Sequence, residues 1–509
     1  MPHDASIGDP GTADPHFPGI HPRPPRHWVN DPNGLVFHDG HYHVFFQYNP
    51  HGTEHARIHW GHYRSPDLLR WEMLPIALAP TPGGEDADGV WSGNAVSAGG
   101  DLVAFYSARR EERWWQPVTS AVSRDGGRTF TKHPHRLIHE APTGTRMFRD
   151  PFVWRDGEQW RMLVGSALED GRGAAWQYVS DDLEHWRGTG PFLARPPEAL
   201  PGGGDTEEGW ECVQYAAFDG RYGALLISAW DPVDGAAHTA VYTGRDEGAD
   251  FKAGAPQLLD HGPDFYAPAL LPAPDGAGGT RWLMWAWSWE ARDAERVGAH
   301  SAWTEEVGWA GLLTLPRELT MGPDGHVRQR PARELDAMRE ERIATVQTSV
   351  ASGEPRDVAV TGAAFDLRAR LERSPDRSAA AGLRLYTTAD RSEHLDLGLD
   401  PATGDLVANR DRASLESRAQ GGTWRIPQAA APGTSAELRV IVDHSVAEVF
   451  LDDGRTLTLR FYPTGPAPWR LQATTAGRGE AHVEADLWSL APLHGAGAEA
   501  TRPDESTAV

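Results

Sequence analysis

Short runs of alternating apolar and polar residues recur along most of the chain from residue 34 onward. Turn signals such as Asp39-Gly40 and Asp156-Gly157 separate these runs. Alternation with a period of two indicates strands with one buried face, and frequent turns between them are typical of all-β folds. We therefore predict an all-β protein, and its clearest strands are Leu35–Phe37, Tyr42–Phe46, Leu102–Tyr106 and Trp160–Val164.

The sequence also contains a repeat with a much longer period than this alternation. Ser65-Pro-Asp-Leu-Leu-Arg-Trp71 recurs in the segments that begin at Ser123 and Ser180, with weaker copies that begin at Thr243 and Thr304. The first residues of these copies are 58, 57, 63 and 61 positions apart. Five units of that length, each able to hold about four short strands, indicate a five-bladed β-propeller. We predict that the propeller spans residues 18–327.

The pattern changes after about Pro316. Residues 328–355 begin with a charged, helix-compatible stretch, so we predict a linker with a short helix there. Clean alternation resumes in residues 356–492 and predicts strands with one apolar face, which pack as a C-terminal β-sandwich. The Gly-, Ala-, Pro- and Asp-rich ends, residues 1–17 and 493–509, are predicted to be disordered.

Charge and cysteine content narrow the partners and the compartment. The 509 residues include 48 Lys and Arg against 72 Asp and Glu, a formal net charge of -24. Such a surface repels nucleic acid and anionic lipid, so we expect neither as a partner, while a homo-oligomer stays open. The only cysteine, Cys212, excludes an internal disulfide and suits a reducing compartment. With neither an apolar signal segment nor a membrane-spanning run, the expected location is cytoplasmic.

Three carboxylates share one position within the repeat. Asp31, Asp150 and Glu211 lie 34, 30 and 32 residues before the first residue of their repeat copies. Equivalent positions in different blades are related by rotation about the propeller axis, so we expect the three to meet in one axial pocket. Ser92 belongs to the same phase of the second copy. Paired carboxylates in an aromatic-walled pocket suit glycoside hydrolysis.

Asp31 is the candidate nucleophile. It lies in Trp28-Val-Asn-Asp-Pro-Asn-Gly34, where Asn30 and Asn33 flank it as orienting hydrogen-bond partners. The alternative is that this motif is only a polar turn, which Pro and Gly favour on their own. The shared phase with two more carboxylates favours the functional interpretation.

The other two carboxylates receive distinct roles. Glu211 is the candidate general acid/base, because Trp210 and Cys212 make a partly apolar setting that raises the pKa of a carboxyl group. Its alternative is an exposed glutamate that continues the acidic run of residues 205–208. Asp150 with Arg149 is expected to hold sugar hydroxyls, and its alternative is a structural ion pair between these two residues.

Aromatic residues complete the candidate pocket. Eighteen of the 21 tryptophans precede residue 310. Tryptophan faces stack on sugar rings but also fill the space between blades, and we expect Trp60, Trp91, Trp230 and Trp287 to form pocket walls. The histidine pairs match no metal-binding pattern and no loop suits a phosphate, so neither a metal nor an organic cofactor is expected.

These motifs together resemble glycoside hydrolase family 32, the β-fructofuranosidases. The resemblance covers about residues 18–490 and rests on the nucleophile motif around Asp31 and on further segments of similar sequence: Phe45–Pro50, His59–His62, Trp91–Gly93, Phe148–Pro151, Glu211-Cys212, Asp264–Ala267, Gly308–Gly311, Leu315–Glu318, Leu438–Asp443 and Val446–Phe450. It implies a five-bladed propeller plus sandwich and retaining hydrolysis of terminal β-fructosides, without metal or cofactor.

The resemblance also assigns roles to individual residues. Asp31 would attack the anomeric carbon of fructose, Glu211 would protonate the leaving oxygen, and Asp150 would bind fructosyl hydroxyls. The fructose subsite would be lined by Asn30, Gln47, Trp60, Ser92, Arg149 and Tyr266.

Two departures from the family pattern lie near the expected leaving group. Glu211-Cys212 continues with Val213-Gln214 where the family usually has Pro-Asp, and a common tryptophan is replaced near Glu54-His55-Ala56. We expect an exo-acting β-fructofuranosidase for sucrose or short fructo-oligosaccharides, with the leaving-group preference open. A fructosyltransferase that uses the same intermediate and a non-catalytic fructan-binding protein are the alternatives.

Overall fold

The computed structural model describes residues 14–201, 203–219, 222–231, 235–248, 250–293 and 301–493. In this part of the chain nearly all regular structure is strand, which confirms the predicted all-β class. The α-helix and the 3₁₀ helix that these residues form have six residues each. Neither of these helices is long and apolar enough to cross a membrane.

The first eight strands form two antiparallel sheets in which strands consecutive in sequence are paired. Asp39 and Gly40 connect the first two strands, and both have positive φ (46° and 74°), as tight hairpin turns require. The first sheet contains β1 (His27–His38), β2 (His41–Asn49), β3 (His59–Ser65) and β4 (Glu72–Leu78). The second contains β5 (Gly89–Ala98), β6 (Asp101–Arg109), β7 (Val118–Ser123) and β8 (Thr131–Lys132).

The next nine strands are linked in one sheet. They are β9 (Thr145–Asp156), β10 (Gln159–Leu168), β11 (Gly173–Ser180), β12 (Arg187–Arg195), β13 (Gly209–Asp219), β14 (Tyr222–Asp231), β15 (Gly235–Asp246), β16 (Phe251–Ala253) and β17 (Gln257–Leu258). β9 to β12 pair in sequence order, and β13 begins a second series that continues through β15. A single residue pair, Ala167 opposite Gly209, joins the two series through β10 and β13.

The fifth series completes this half of the chain. It consists of β18 (Tyr266–Pro274), β19 (Thr280–Ser288), α1 (Ala302–Val307), β20 (Trp309–Ala310), β21 (Leu312–Leu313), β22 (Arg317–Met321) and β23 (Val327–Pro331). Ser301 caps α1 by accepting from the backbone N–H of Thr304, and Gly308 ends it in a left-handed conformation. β20 then runs parallel to β1, so the late chain returns to the first sheet.

The sequence repeat marks one structural position in its clear copies. Ser65, Ser123 and Ser180 end β3, β7 and β11, and each hydroxyl donates to the aspartate two residues later. Such side-chain turns explain why the same residue types recur. Thr243 lies in β15, the corresponding third strand of its series. Thr304 instead lies inside α1, so the fifth copy of the repeat is not structurally equivalent.

The second half contains two six-stranded sheets. Its strands are β24 (Arg339–Ala351), β25 (Arg356–Thr361), β26 (Ala364–Glu372), β27 (Ala379–Tyr386), β28 (His394–Leu399), β29 (Leu406–Asn409), β30 (Thr423–Ile426), β31 (Ser435–Asp443), β32 (Val446–Leu451), β33 (Thr456–Arg460), β34 (Trp469–Gly477) and β35 (Glu480–Leu490). The sheet orders are β24-β35-β26-β31-β32-β33 and β25-β34-β27-β28-β29-β30. One apolar cluster includes Phe365 and Leu438 from the first sheet and Leu383 and Leu471 from the second, so the two sheets share a core.

The segment predicted as a linker with a short helix, residues 328–355, is mostly strand. Its helix is the single 3₁₀ stretch Arg333–Met338, and β24 follows directly and pairs along its length with β35. The segment thus contains a short helical stretch, and the strand that follows it forms by pairing with a distant strand, which local propensity does not reveal.

Buried ion pairs join the two halves. Arg317 of β22 lies 2.9 Å from Asp260 and 2.6 Å from Glu448 of β32, and all three side chains are buried. His21 lies 2.7 Å from Asp443 and 3.1 Å from Glu448. The segment before β1 is therefore packed against the second half of the molecule.

The described residues include only a small part of the two chain ends that were predicted to be disordered. Residues 1–13 and 494–509 lie outside the described residues. Residues 14–17, which were expected to be disordered, have definite partners: Asp14 accepts from the indole N–H of Trp309 at 2.7 Å, and His16 lies 2.9 Å from the carbonyl oxygen of Pro463.

Candidate active site

Irregular backbone occurs where the first strand of each series carries a predicted site residue. Strand register shifts beside Asp31 in β1, Ser92 in β5, Asp150 in β9, Glu211 in β13 and Tyr266 in β18. Positive φ at non-glycine residues accompanies three of these irregularities: Asp150 (66°), Cys212 (44°) and Ala267 (47°). A bulge turns side chains out of simple alternation, and such strained conformations cluster at functional sites.

Asp31 is surrounded by hydrogen-bond donors. Its Oδ2 accepts from the hydroxyl of Ser92 at 2.5 Å and from Nε2 of Gln47 at 3.1 Å. Its Oδ1 accepts from Nδ2 of Asn30 at 3.1 Å. The Sγ of Cys212 lies 3.5 Å from Oδ2. The carboxylate is thereby held in one orientation.

The amide groups around Asp31 are themselves oriented. The indole N–H of Trp28 donates to Oδ1 of Asn30 at 2.7 Å, which turns Nδ2 of Asn30 toward Asp31 and toward Oε1 of Gln47. Gln47 also donates to the hydroxyl of Ser92. Because an indole nitrogen can only donate, this chain of contacts has one consistent direction, and it ends on the carboxylate.

Burial raises the pKa of Asp31 to about 6. The hydrogen bond from Ser92 opposes this effect, and the negative charge of Glu211 adds to it. At neutral pH the carboxyl group is thus mainly ionised, as attack on carbon requires, and it gains a proton as the pH falls through about 6.

Asp150 lies against Cys212 from the other side. Its Oδ2 accepts from the backbone N–H of Cys212 at 3.1 Å and lies 3.6 Å from the sulfur, while its own N–H donates to Ser107 at 2.7 Å. The same sulfur therefore contacts the carboxylates of both Asp31 and Asp150. Burial raises the pKa of Asp150 against the charge of Arg149, and the nearby carboxylates raise it further.

Arg149 pairs with Glu211 and not with its sequence neighbour. Its Nε and Nη2 lie 2.9 and 2.7 Å from Oε1 of Glu211, while the hydroxyl of Tyr266 lies 2.8 Å from Oε2. The local ion pair between Arg149 and Asp150 that the sequence left open is not formed. Trp210, which was expected to help form an apolar setting for Glu211, packs in the core, and its indole N–H donates to the carbonyl oxygen of Thr206.

The four candidate tryptophans are not equivalent. Trp91 is half-buried, and the guanidinium groups of Arg109 and Arg149 lie 5.2 and 5.9 Å from the centre of its ring. Trp230 is also half-buried, with Arg149 at 5.2 Å. Trp287 is 5% exposed and packs on Trp28. Trp60 has no exposed surface and packs on Phe45, so it lies behind the pocket and the expectation that it forms a wall is not met.

Asn33 does not contact Asp31, contrary to its predicted orienting role. Its side chain is fully buried, and its amide bonds the backbone of Pro32 and Gln47 at 3.2 Å each. In a regular strand, Asp31 and Asn33 would point to the same face, because successive side chains alternate. Strand register shifts between Val29 and Pro32, so this alternation does not hold here, and sequence does not reveal the shift.

Sequence reasoning missed three contributors to the site. Trp28 orients Asn30, and Ser107 binds the backbone of Asp150. His55 contacts Gln47, with its Nε2 3.2 Å from Oε1. The replacement of a family tryptophan near His55 was the signal that could have identified it. Within the described ranges, no group of three or more His, Cys, Asp or Glu residues is arranged to hold a metal ion.

Models of known protein families identify the family of this chain. The sequence model described as "Glycosyl hydrolases family 32 N-terminal domain" matches residues 21–331, and the model for "Glycosyl hydrolases family 32 C terminal" matches residues 334–489. The chain belongs to glycoside hydrolase family 32. The predicted resemblance is thus confirmed, and the protein is a glycoside hydrolase.

Several known proteins match almost the whole chain. The sucrose-6-phosphate hydrolase of Bacillus subtilis is 30% identical over 502 residues, which are 94% of this chain and 95% of that protein. Exo-inulinase from Aspergillus awamori has a TM-score of 0.80 at 24% identity, with 95% of this chain and 100% of that chain covered. Fructosyltransferase from A. japonicus has a TM-score of 0.82 at 17% identity, with 97% and 98% covered. An inulinase and a fructosyltransferase therefore share the fold of this chain.

Proposed function

We propose that this family 32 protein is a retaining, exo-acting β-fructofuranosidase that hydrolyses sucrose or short fructo-oligosaccharides. The observation that carries the proposal is the meeting of Asp31 and Asp150 at the sulfur of Cys212, the residue next to Glu211. Around them, every hydrogen-bonding group that contacts Asp31 is a donor. A half-buried, oriented carboxylate beside two further carboxyl groups suits nucleophilic attack on a sugar.

In the first step, Asp31 acts as the nucleophile. One of its oxygens forms a bond to the anomeric carbon of the terminal fructosyl unit, and the bond from that carbon to the glycosidic oxygen breaks. Glu211 gives its proton to the departing oxygen, so the leaving sugar departs neutral. The product of this step is a fructosyl ester of Asp31.

In the second step, water releases fructose. Glu211, now ionised, takes a proton from the water molecule as the water oxygen attacks the anomeric carbon, and the ester bond to Asp31 breaks. Both catalytic groups return to their starting protonation states. Two displacements at the same carbon retain its configuration.

The remaining site residues bind fructose. Asp150 accepts hydrogen bonds from sugar hydroxyls, and these strengthen as positive charge develops on the ring. Arg149 and Tyr266 hold Glu211 and border the same subsite. Asn30, Gln47, Ser92 and Trp91 complete its lining, with Trp91 as an aromatic wall. Trp60 supports the site only from behind.

The same proposal includes five blades around one axis. The first strands β1, β5, β9, β13 and β18 pack side by side in a ring, with β18 returning to β1. The nine-stranded sheet then counts as two blades, because a single residue pair joins its two series. We propose the boundaries 18–327 for the propeller and 356–492 for the sandwich.

A cytoplasmic location also remains part of the proposal, since a single cysteine suits a reducing compartment. In that compartment the enzyme would meet only imported sugars, which favours sucrose, its phosphate ester or short oligosaccharides over polymeric fructans. Native mass measurement would decide whether the protein forms a homo-oligomer.

A product-resolved assay tests the proposal. Purified protein is incubated with sucrose, sucrose-6-phosphate, 1-kestose, inulobiose, levanbiose and inulin, beside the variants Asp31→Asn and Asp39→Asn. We expect fructose release by the wild type and by Asp39→Asn, whose carboxylate lies in the β1–β2 turn, and none by Asp31→Asn. Ranking of the substrates identifies the preferred leaving group.

Other outcomes separate the alternatives. Kestose formed from concentrated sucrose, in excess of free fructose, would identify a fructosyltransferase, whose fold this chain shares. Sugar binding without release of any product would identify a non-catalytic fructan-binding protein. Near-native turnover by Asp31→Asn would refute the assignment of the nucleophile.

A further inference from the structure

His55 lies beside the amide that orients the nucleophile. It belongs to the segment between β2 and β3, and its half-buried ring meets the rings of Trp28 and Trp91 edge-on, with centroids 6.2 and 5.5 Å apart. Its Nε2 is 3.2 Å from Oε1 of Gln47. It lies within Glu54-His55-Ala56, the stretch near which the chain departs from the family pattern.

The contact with His55 completes the bonding capacity of Gln47. A glutamine amide has two N–H donors and an oxygen with two lone pairs. Here the nitrogen donates to Asp31 and Ser92, while the oxygen accepts from Asn30 and faces Nε2 of His55. With His55 as the donor, all four positions of the amide are used.

The reverse orientation of the amide is unfavourable. If Gln47 were rotated so that its oxygen faced Asp31, two acceptors would meet at the carboxylate. Its nitrogen would then face Nδ2 of Asn30, which is itself a donor, and the N–H of His55. The donors on one side of Gln47 therefore determine what its other side presents to Asp31.

We propose that His55 is a positioning residue for the hydrolytic reaction: its Nε2–H holds the Gln47 amide in the orientation that donates to Asp31. The inference rests on the proposed role of Asp31 as nucleophile. His55 does not touch the reacting atoms in this account, and its effect reaches them only through Gln47.

The charges around His55 suit a neutral donor. Burial lowers the pKa of His55 to about 4, and the positive charge of Arg109 adds a smaller contribution. The negative charge of Glu211 and a hydrogen bond to its own backbone oppose this change. On the other side of Gln47, the charged groups that face Asp31 are Glu211 and Asp150. Above about pH 5 the ring is uncharged, and with the proton on Nε2 it remains a donor across the neutral range.

The test compares His55→Phe, which keeps an aromatic ring but loses the donor, with His55→Gln, which keeps an N–H group. For sucrose we expect His55→Phe to lower kcat about tenfold with less than a twofold change in KM. The acid limb of kcat/KM should move up by roughly half a pH unit, because a carboxylate that loses a donor is more easily protonated. His55→Gln should recover most of both effects, and His51→Phe, at an exposed histidine of the same segment, should change neither.

A double-mutant cycle shows whether the effect passes through Gln47. In a Gln47→Leu background, His55→Phe should change kcat less than twofold, because the amide it orients is absent. Equal losses in both backgrounds would overturn the proposal. So would wild-type rates in His55→Phe, or a slower variant whose acid limb does not move and which His55→Gln does not rescue.

The assay also distinguishes failure of this inference from failure of the proposed function. If the wild type releases no fructose from any substrate, the proposed function has failed. The inference is then overturned with it, since no reaction remains for His55 to support. If the wild type is active and His55→Phe matches it in kcat and in acid limb, only the inference has failed.

Discussion

At the scale of single residues, the decisive property of the site is that Asp31 is both half-buried and hydrogen-bonded. Burial alone disfavours the charged carboxylate, whereas three donors favour it, and the balance leaves a pKa of about 6. Ser92 is the nearest donor, at 2.5 Å. The acid side of the pH profile therefore reports directly on this balance.

We predict that kcat/KM of the wild type falls as the pH decreases through about 6, because the nucleophile gains a proton there. In Ser92→Ala the loss of a donor raises the pKa of Asp31 further, so the acid limb should move to higher pH, by roughly one unit at most. The measurement is a pH profile of kcat/KM for sucrose. Ser97→Ala, at an exposed serine of the same strand, is the control, and an unmoved limb in Ser92→Ala would contradict the account.

The chemical identity of these residues was predictable, but their pairing was not. Asp31, Asp150 and Glu211 were expected to share one pocket because they share one phase of the repeat. The carboxylate that pairs with Arg149 depends on the strained backbone at Asp150, where φ is 66°. The sequence does not reveal this backbone conformation. The amide of Asn33 turns away from the site because strand register shifts in β1 beside it, and the sequence pattern does not reveal such a shift.

At the scale of elements, β2 and β3 are joined by a pair of buried histidines. Nδ1 of His43 lies 2.9 Å from Nε2 of His62, and Nδ1 of His62 lies 3.1 Å from the carbonyl oxygen of Gly127. Because a carbonyl only accepts, His62 donates to Gly127 and accepts from His43. Burial lowers the pKa of His43 to about 3 and the pKa of His62 well below its ordinary value.

This pair makes stability depend on pH. Unfolded histidines bind protons below about pH 6.5, whereas the folded pair does not, so the free energy of unfolding should fall as the pH decreases from about 6.5 toward 4. His43→Gln removes one such group while keeping a donor, and we predict a shallower fall, by up to about 1.4 kcal/mol per pH unit. Urea unfolding at several pH values measures the slope. His139→Gln, at an exposed histidine, should leave it unchanged, and an equal slope in both variants would refute the prediction.

The elements themselves were mostly predictable from alternation and turn signals. β2, β6 and β10 correspond to the runs from which the all-β class was inferred. Within residues 328–355, where a short helix was expected, the 3₁₀ stretch Arg333–Met338 is followed by the strand β24. Its partner β35 begins more than 120 residues later, so local propensity carries no information about this strand. The weak fifth copy of the repeat is not structurally equivalent to the others because its threonine, Thr304, lies inside the helix α1.

At the scale of the whole molecule, the two halves are held together by buried charges as well as apolar contacts. Arg317 forms ion pairs with Asp260 of the first half of the chain and with Glu448 of the second half. Removing the arginine would leave Asp260 without a charged partner in the interior and Glu448 with His21 alone, which is strongly destabilising even where the intact pairs contribute little net stability.

We predict that Arg317→Met lowers the free energy of unfolding by about 3–5 kcal/mol. The matched control is Arg370→Met, which breaks the exposed pair with Glu437 and should cost less than about 1 kcal/mol. Denaturant titration of the three proteins measures both. A loss in Arg317→Met no larger than that of the control would show that the interface does not depend on its buried charges.

The contact between His21 and Asp443 has a consequence for how the protein is made. The two residues are 422 positions apart in the chain. At ordinary rates of synthesis, roughly 5–20 residues per second, the segment that leads into the nucleophile strand leaves the ribosome about 20–80 seconds before its buried partner exists. During that interval the newborn chain exposes an unfinished surface, so efficient production of this enzyme should depend on chaperones that shield it until translation ends.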